Sequence, residues 1–212
     1  MEYVVLECAQ SDCRLRFPIK AGIELPSCCP RCGGRIMAVY HYPEDTIKKE
    51  SRSFHTSGKL FLILDNIRSV YNVGSILRTA EGFGVNHIYL CGITPTPDNP
   101  KIEKTGLGAE WSIPWTYSPN NILITQRLKR EGCCLLGLEV SSNCEPIFNF
   151  RGNLPENIVL IIGNEIAGLD PEIRALCDRL FYLPMLGYKR SFNVTIALGI
   201  ACFYFRYKNY FL

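Results

Sequence analysis

The chain has 212 residues, 47% of them hydrophobic, and a formal net charge of +3; it can bury one substantial core and carry a small extra module, but not two full-sized domains. The charge is permissive for nucleic acid without pointing to it, because a mildly basic protein of this size is also simply soluble. No basic stretch followed by an apolar one opens the sequence, and the longest apolar run, Val194 to Phe205, is interrupted by Thr195 and too short for a bilayer, so a soluble, cytoplasmic protein is expected.

Five of the 11 cysteines fall within the first 32 residues. An odd count without a leader argues for reduced thiols and a local metal site, not a disulfide framework. Cys8-x4-Cys13 and Cys29-Pro-Arg-Cys32-Gly-Gly are two tight-turn pairs that supply four thiolates for tetrahedral zinc, with glycines that let N–H groups turn toward the sulfurs. Cys28 competes with Cys29, whose Cys-x2-Cys spacing is the commoner knuckle. Residues 1–40 therefore resemble a zinc ribbon, of a size at which metal usually replaces a core; a loose free-thiol arm is the alternative. Residues 41–58, HYPEDTIKKESRSFHTSG, read as a polar linker, with His41 and His55 solvated.

From Lys59 to Leu212, short apolar runs alternate with helical stretches. LFLIL (60–64), HIYLC (87–91), CLLGLE (134–139), IVLIIG (158–163) and LFYL (180–183) read as strands. NVGSILRTAEGFG, NNILITQRLKREG, LDPEIRALCD and the run from Ser191 read as helical. This alternation predicts an α/β domain with a parallel sheet. A P-loop is absent, and Gly82 and Gly84 follow a helix, so they read as its left-handed end and not as a dinucleotide cradle.

Polar residues gather at three predicted strand ends. Asn72 stands where it could cap a helix that carries Arg78 almost two turns along. Glu165 sits in the turn NEIAGLD, and Ser191 and Asn193 precede the last helix, where either could cap it. Ligands of open parallel sheets bind beyond the carboxyl ends of strands. Singly, Asn72 also reads as a plain cap, Glu165 as a loop charge and Arg78 as a surface ion-pair partner; their joint occurrence carries the signal.

In order, Asn72-x-Gly74-x3-Arg78-Thr-Ala, Gly163-Asn-Glu165-x2-Gly168-Leu and Leu183-Pro-Met-x-Gly187-x3-Ser191-Phe-Asn193-Val resemble the three motifs of the SpoU/TrmH family of RNA ribose 2′-O-methyltransferases, within the SPOUT superfamily. The likeness covers about residues 58–208. Two positions depart from it: Val70 stands where the family commonly has Pro, and Phe192 where it has Leu.

The resemblance implies a SPOUT domain with a deep C-terminal trefoil knot, a homodimer, an RNA substrate (tRNA or rRNA) and S-adenosylmethionine as cofactor. It further implies a cofactor site on backbone loops at Leu138, Glu139 and Val140, at Ile162 and Gly163, and at Leu183, Met185 and Leu186, closed by Ser191, Asn193 and Val194. Arg78, Asn72, Glu165, Ser191 and Asn193 become the expected catalytic set. Arg78 is the family's usual candidate for handling the hydroxyl proton, although a guanidinium has no lone pair to accept it. The zinc ribbon would add Arg14, Arg16, Lys20, Arg31 and Arg35 to an RNA surface, or else serve stability or packing. Two rival readings are a catalytically quiet RNA-binding protein and a zinc-ribbon adaptor.

Overall fold

The computed structural model describes residues 3–42, 58–151 and 155–208; most of the expected linker, with His55, lies outside these. The chain divides into two compact units, residues 1–54 and 55–212.

The first unit is a three-stranded antiparallel sheet in the order β2-β1-β3, built from β1 (Tyr3–Cys8), β2 (Arg16–Lys20) and β3 (Ile36–His41). Among its described residues, Val4, Val5, Leu6, Cys8 and Cys29 are the buried apolar ones. So few buried side chains leave a unit of this size dependent on another stabilising element.

The second unit is a seven-stranded sheet, parallel throughout: β4 (Lys59–Asp65), β5 (His87–Cys91), β6 (Trp115–Ser118), β7 (Cys134–Leu138), β8 (Glu145–Pro146), β9 (Asn157–Ile162) and β10 (Arg179–Tyr182), in the spatial order β6-β5-β4-β9-β7-β10-β8. A parallel sheet covered on both faces favours strands that are apolar throughout, with no in-out alternation. The central β4 and β9 obey this: Leu62, Ile63, Leu64, Val159, Leu160 and Ile161 are all at 0% exposure. On one face Leu60, Leu62, Leu64 and Leu160 pack with Val73, Ile76 and Leu77 of α1 (Val70–Gly82) and with Leu198, Ala201 and Phe205 of α5 (Val194–Tyr207). On the other, Ile63, Val159 and Ile161 pack with Leu128 of α3 (Asn121–Arg130) and Ile173 of α4 (Pro171–Leu176). A one-turn helix, α2 (Glu103–Gly106), packs beneath α1. The two short strands β6 and β8 have too little apolar content for the sequence pattern to show them.

Local chemistry sets the helix ends. Asn193 caps α5, its side-chain oxygen accepting from the Thr195 N–H at 2.9 Å. α1 is capped by Ser69, which accepts from the Asn72 N–H at 3.3 Å, so Asn72 lies inside the first turn and its side chain is free for other work. Of the two glycines expected at the left-handed end of α1, only Gly84 takes that conformation (φ +61°), with Val85 N–H bonding Ala80 O at 3.0 Å and Gly84 N–H bonding Glu81 O at 3.0 Å, whereas Gly82 is the last helical residue. Arg206 of α5 donates to Phe83 O at 3.0 Å and to Gly84 O, placing a cation on the carbonyl end of α1. The last helix is less uniformly buried than its apolar sequence suggests, since Ile196, Ile200 and Phe203 are exposed.

Candidate functional site

The C-terminal ends of β7, β9 and β10 open into a cavity of about 480 Å³. The loop after β9 doubles back on itself: Asn164 and Gly168 exchange backbone hydrogen bonds of 3.0 and 2.9 Å, and Gly168 has φ +74°. A Cβ on Gly163 would stand 2.5 Å from Gly168 O, so only glycine fits there. Asn164 holds this loop to the end of β4 by donating from Nδ2 to Asn66 O at 2.7 Å. Glu139 holds it from the other side, accepting from Val140 N–H and Leu169 N–H, both at 2.6 Å. Beneath it Asp65, 1% exposed, accepts from Asn66 Nδ2 at 2.7 Å, from Asn121 Nδ2 and from Asp170 N–H at 3.1 Å. A buried carboxylate costs free energy unless it is so bonded; here its satisfaction ties β4, α3 and the loop together.

Of the residues expected to face a cofactor, Leu138, Glu139, Val140, Ile162, Gly163, Leu183, Ser191, Asn193 and Val194 line this cavity. Met185 and Leu186 do not, and Leu186 is fully exposed. Asn164, Ile166, Gly168, Tyr182, Arg190, Phe192 and Ala197 complete the wall. Among these Arg190 was not anticipated: it is a cation on the cavity surface that, among the described residues, makes no hydrogen bond or ion pair. Its only sequence signal was its place directly before Ser191.

Asn72, Glu165 and Asn193 meet on one side of the cavity. Glu165 accepts from Asn72 Nδ2 at 2.9 Å and Ser69 N–H at 3.2 Å through Oε1, and from Arg68 N–H at 3.0 Å through Oε2. Asn193 Nδ2 in turn faces Asn72 Oδ1 at 3.4 Å. Partial burial opposes ionisation of Glu165, but the donors from Arg68, Asn72 and Ser69 outweigh it and hold the carboxyl below the ordinary glutamate range. Its charge also sits at the N-terminus of α1, where the helix dipole favours an anion. Arg78 is on α1 but outside this group: it is exposed, is not part of the cavity wall and, among the described residues, has no bonded partner. It stands six positions along the helix from Asn72, about 9 Å of rise.

The cavity thus presents apolar walls (Leu138, Ile162, Leu183, Val194), backbone donors and acceptors at strand ends, the hydrogen-bonded carboxylates of Glu139 and Glu165, and Arg190, a cation with no bonded partner among the described residues. This composition suits a flat, partly polar small molecule bearing an anionic group.

In the first unit the Sγ atoms of Cys8, Cys13, Cys29 and Cys32 lie within 4.8 Å of one another, with Cys8–Cys32 at 3.5 Å and Cys13–Cys29 at 3.8 Å. Four sulfurs about 2.3 Å from a common centre would be about 3.8 Å apart, so the set fits tetrahedral zinc. Cys28 is exposed and outside the cluster. Burial works against ionisation of Cys29, but N–H groups of Arg31 and Cys32 outweigh it and draw the thiol down to about 7; the Arg31 N–H lies 3.4 Å from its sulfur.

The sequence and the fold of the second unit have counterparts among known proteins. The chain belongs to the SpoU rRNA Methylase family, whose profile matches residues 59–203. It is 30% identical to the 23S rRNA (guanosine-2′-O-)-methyltransferase RlmB of Neisseria meningitidis serogroup B, over 66% of this chain and 55% of that one. It is 28% identical to the 23S rRNA (guanosine(2553)-2′-O)-methyltransferase RlmP of Bacillus subtilis, over 81% and 64%. Among solved structures, an AdoMet-bound rRNA methyltransferase from Sinorhizobium meliloti shares 27% identity with a TM-score of 0.66, over 72% of this chain and 57% of that one. The chain therefore spans between about half and two thirds of the length of these relatives.

Proposed function

We propose that the second unit binds S-adenosylmethionine in the cavity and methylates the 2′-hydroxyl of a ribose in tRNA or rRNA. The observation that carries this reading is the bonded series Glu165–Asn72–Asn193, which joins one residue from each of the three motifs on the wall of a single cavity. The relatives' names and the AdoMet-bound neighbour support the same chemistry.

The wall fits this cofactor: strand-end backbone groups can read the adenine edge, Leu138, Ile162 and Leu183 can flank its ring, and Arg190 can hold the methionine carboxylate. When bound, the cofactor supplies an electrophilic methyl carbon on a sulfonium. The transfer breaks that carbon–sulfur bond, forms a carbon–oxygen bond and releases the hydroxyl proton, so the protein must align the ribose and manage one proton. Asn72, oriented by Glu165 and facing Asn193, fixes the first turn of α1 beside the site. Arg78, exposed on the same helix and unpaired, is available to an RNA phosphate and to the charge developing on the ribose oxygen. A guanidinium stays protonated, so the proton passes to an RNA phosphate oxygen or to water. Ser191 and the N-terminus of α5 supply further donors to the cofactor or a phosphate.

The reading includes structural zinc on Cys8, Cys13, Cys29 and Cys32, a knotted C-terminal thread, and a cytoplasmic homodimer. Exposed Ile196, Ile200 and Phe203 on α5 support a second copy covering that helix, and no helix among the described residues is long and apolar enough to cross a membrane. The deciding experiment incubates the protein with labelled S-adenosylmethionine and cellular RNA, then identifies the nucleosides by mass spectrometry. 2′-O-Methylribose is the expected product; methyl groups found only on bases, or none, would overturn the reading.

A further inference from the structure

The sheet of the first unit has one face that its own fold leaves open. Cross-strand neighbours share a face, and the register sets them in three rows: Lys20, Tyr3 and Tyr42; Pro18, Val5 and Tyr40; Arg16, Glu7 and Met37. The register shift between Val5 and Leu6 makes Val39 an extra residue on β3. It thereby brings Met37 and Tyr40, three positions apart, onto the same side. The opposite side takes Val4, Leu6 and Cys8 into the small interior, and on the open side Val5 is buried beneath its larger neighbours. On the open side Tyr3, Met37, Tyr40 and Tyr42 are 41–49% exposed, more apolar surface than a small module gains from leaving bare. Tyr40 and Tyr42 stand edge to face with ring centroids 5.5 Å apart.

Among the described residues, the charges in and beside these rows are mostly basic. Glu7 is the one acid in the three rows, and it is shared between Arg14 at 3.0 Å and Arg16 at 3.3 Å, while Lys20 stands across from Tyr3. Three cations against one carboxylate complement a polyanion, and rings interleaved with cations are the makeup of single-strand grooves, where bases stack on aromatic faces and the phosphates meet Lys and Arg. A duplex keeps its bases stacked inside and offers such rings nothing.

We infer that this face is a stacking platform for unpaired nucleotides of RNA, centred on Tyr3, Tyr40 and Tyr42. The inference rests on the proposal that the substrate is RNA, and it adds that the substrate is held through a single-stranded segment by the zinc-ribbon unit. The bulge then adds Met37 to the face that the rings share.

The test uses the full-length protein, a labelled oligouridine and a fully paired RNA duplex of equal length, with binding read by fluorescence anisotropy. Replacing both tyrosines (Tyr40→Ala with Tyr42→Ala) should weaken oligouridine binding by about fivefold to a hundredfold, the range for losing stacked bases. Duplex binding should not change, and the Tyr→Phe pair should bind as wild type does. Zinc content reports whether the variant keeps its fold, and ultraviolet crosslinking of 4-thiouridine RNA to the unaltered protein, mapped by mass spectrometry, needs no variant. Crosslinks at Tyr3, Tyr40 or Tyr42 are expected. Wild-type oligouridine affinity in the zinc-loaded alanine variant, or crosslinks confined to other residues, would overturn the platform and leave the face to a protein contact. Failure of S-adenosylmethionine to bind, with oligouridine binding intact, would instead count against the methyl-transfer reading alone.

Discussion

Glu165 and Asn72 stand 93 positions apart in the chain and share a hydrogen bond of 2.9 Å, through which the loop after β9 grips the first turn of α1. Two backbone donors, Arg68 N–H and Ser69 N–H, converge on the same carboxylate.

This arrangement makes the stability of the loop depend on pH. The Glu165 carboxyl is depressed in the folded protein from an ordinary value of 4.5, so its contribution is fully present above that value and is lost as the pH falls through the lower folded-state value. The urea midpoint of Glu165→Gln should therefore lie below that of wild type at neutral pH, with the gap closing below about 4.5. A gap that is constant with pH would show that the charge is not what holds the loop.

Arg78, exposed and apart from the cavity wall, should matter to transfer and not to cofactor binding. Arg78→Ala is expected to leave S-adenosylmethionine affinity nearly unchanged while lowering single-turnover methylation at least about a hundredfold. Arg78→Lys separates charge from shape, because lysine keeps the charge and loses the planar fork. Wild-type rates in both variants would remove Arg78 from the reacting ribose.

Arg190 makes the opposite prediction. Its unpaired guanidinium on the cavity wall should hold the cofactor carboxylate, so Arg190→Ala should weaken S-adenosylmethionine binding about tenfold in calorimetry, the effect of one hydrogen bond to a charged group. Decarboxylated S-adenosylmethionine should bind wild type and variant alike. If the variant loses RNA affinity and keeps cofactor affinity, Arg190 faces a phosphate instead.

The sulfur cluster predicts one zinc per first unit. Cys32→Ser should lose it and Cys28→Ser should keep it, as read by metal analysis of purified protein. Because this unit buries so few apolar side chains, a chelator should raise hydrogen exchange across residues 3–42 and leave β4 and β9 protected. Retention of full zinc by Cys32→Ser would disprove the ligand set.

What the sequence determined by itself is what short-range chemistry encodes. Near-continuous apolar runs marked β4, β5, β7 and β9, because a strand covered on both faces has no polar positions to interrupt it, and a shorter run marked β10. The cysteine spacings marked the cluster, and Ser191 and Asn193 together marked the start of α5, since a cap acts on N–H groups two and three residues away; the structure gives the cap to Asn193. The motif residues are legible as candidates from their joint place at three strand ends, and family likeness alone supplies their roles; singly, Asn72 reads as a cap and Glu165 as a loop charge. Tertiary structure decided the rest. β4 pairs with β9, Lys59 beside Asn157, because of what covers each face, and no local pattern records that. It gave the cap of α1 to Ser69, which freed Asn72 for Glu165. It put Arg190 on the cavity wall and turned Leu186 to solvent, although both lie in one loop. Such choices depend on which distant backbone a side chain meets, a long-range property that spacing along the chain does not carry.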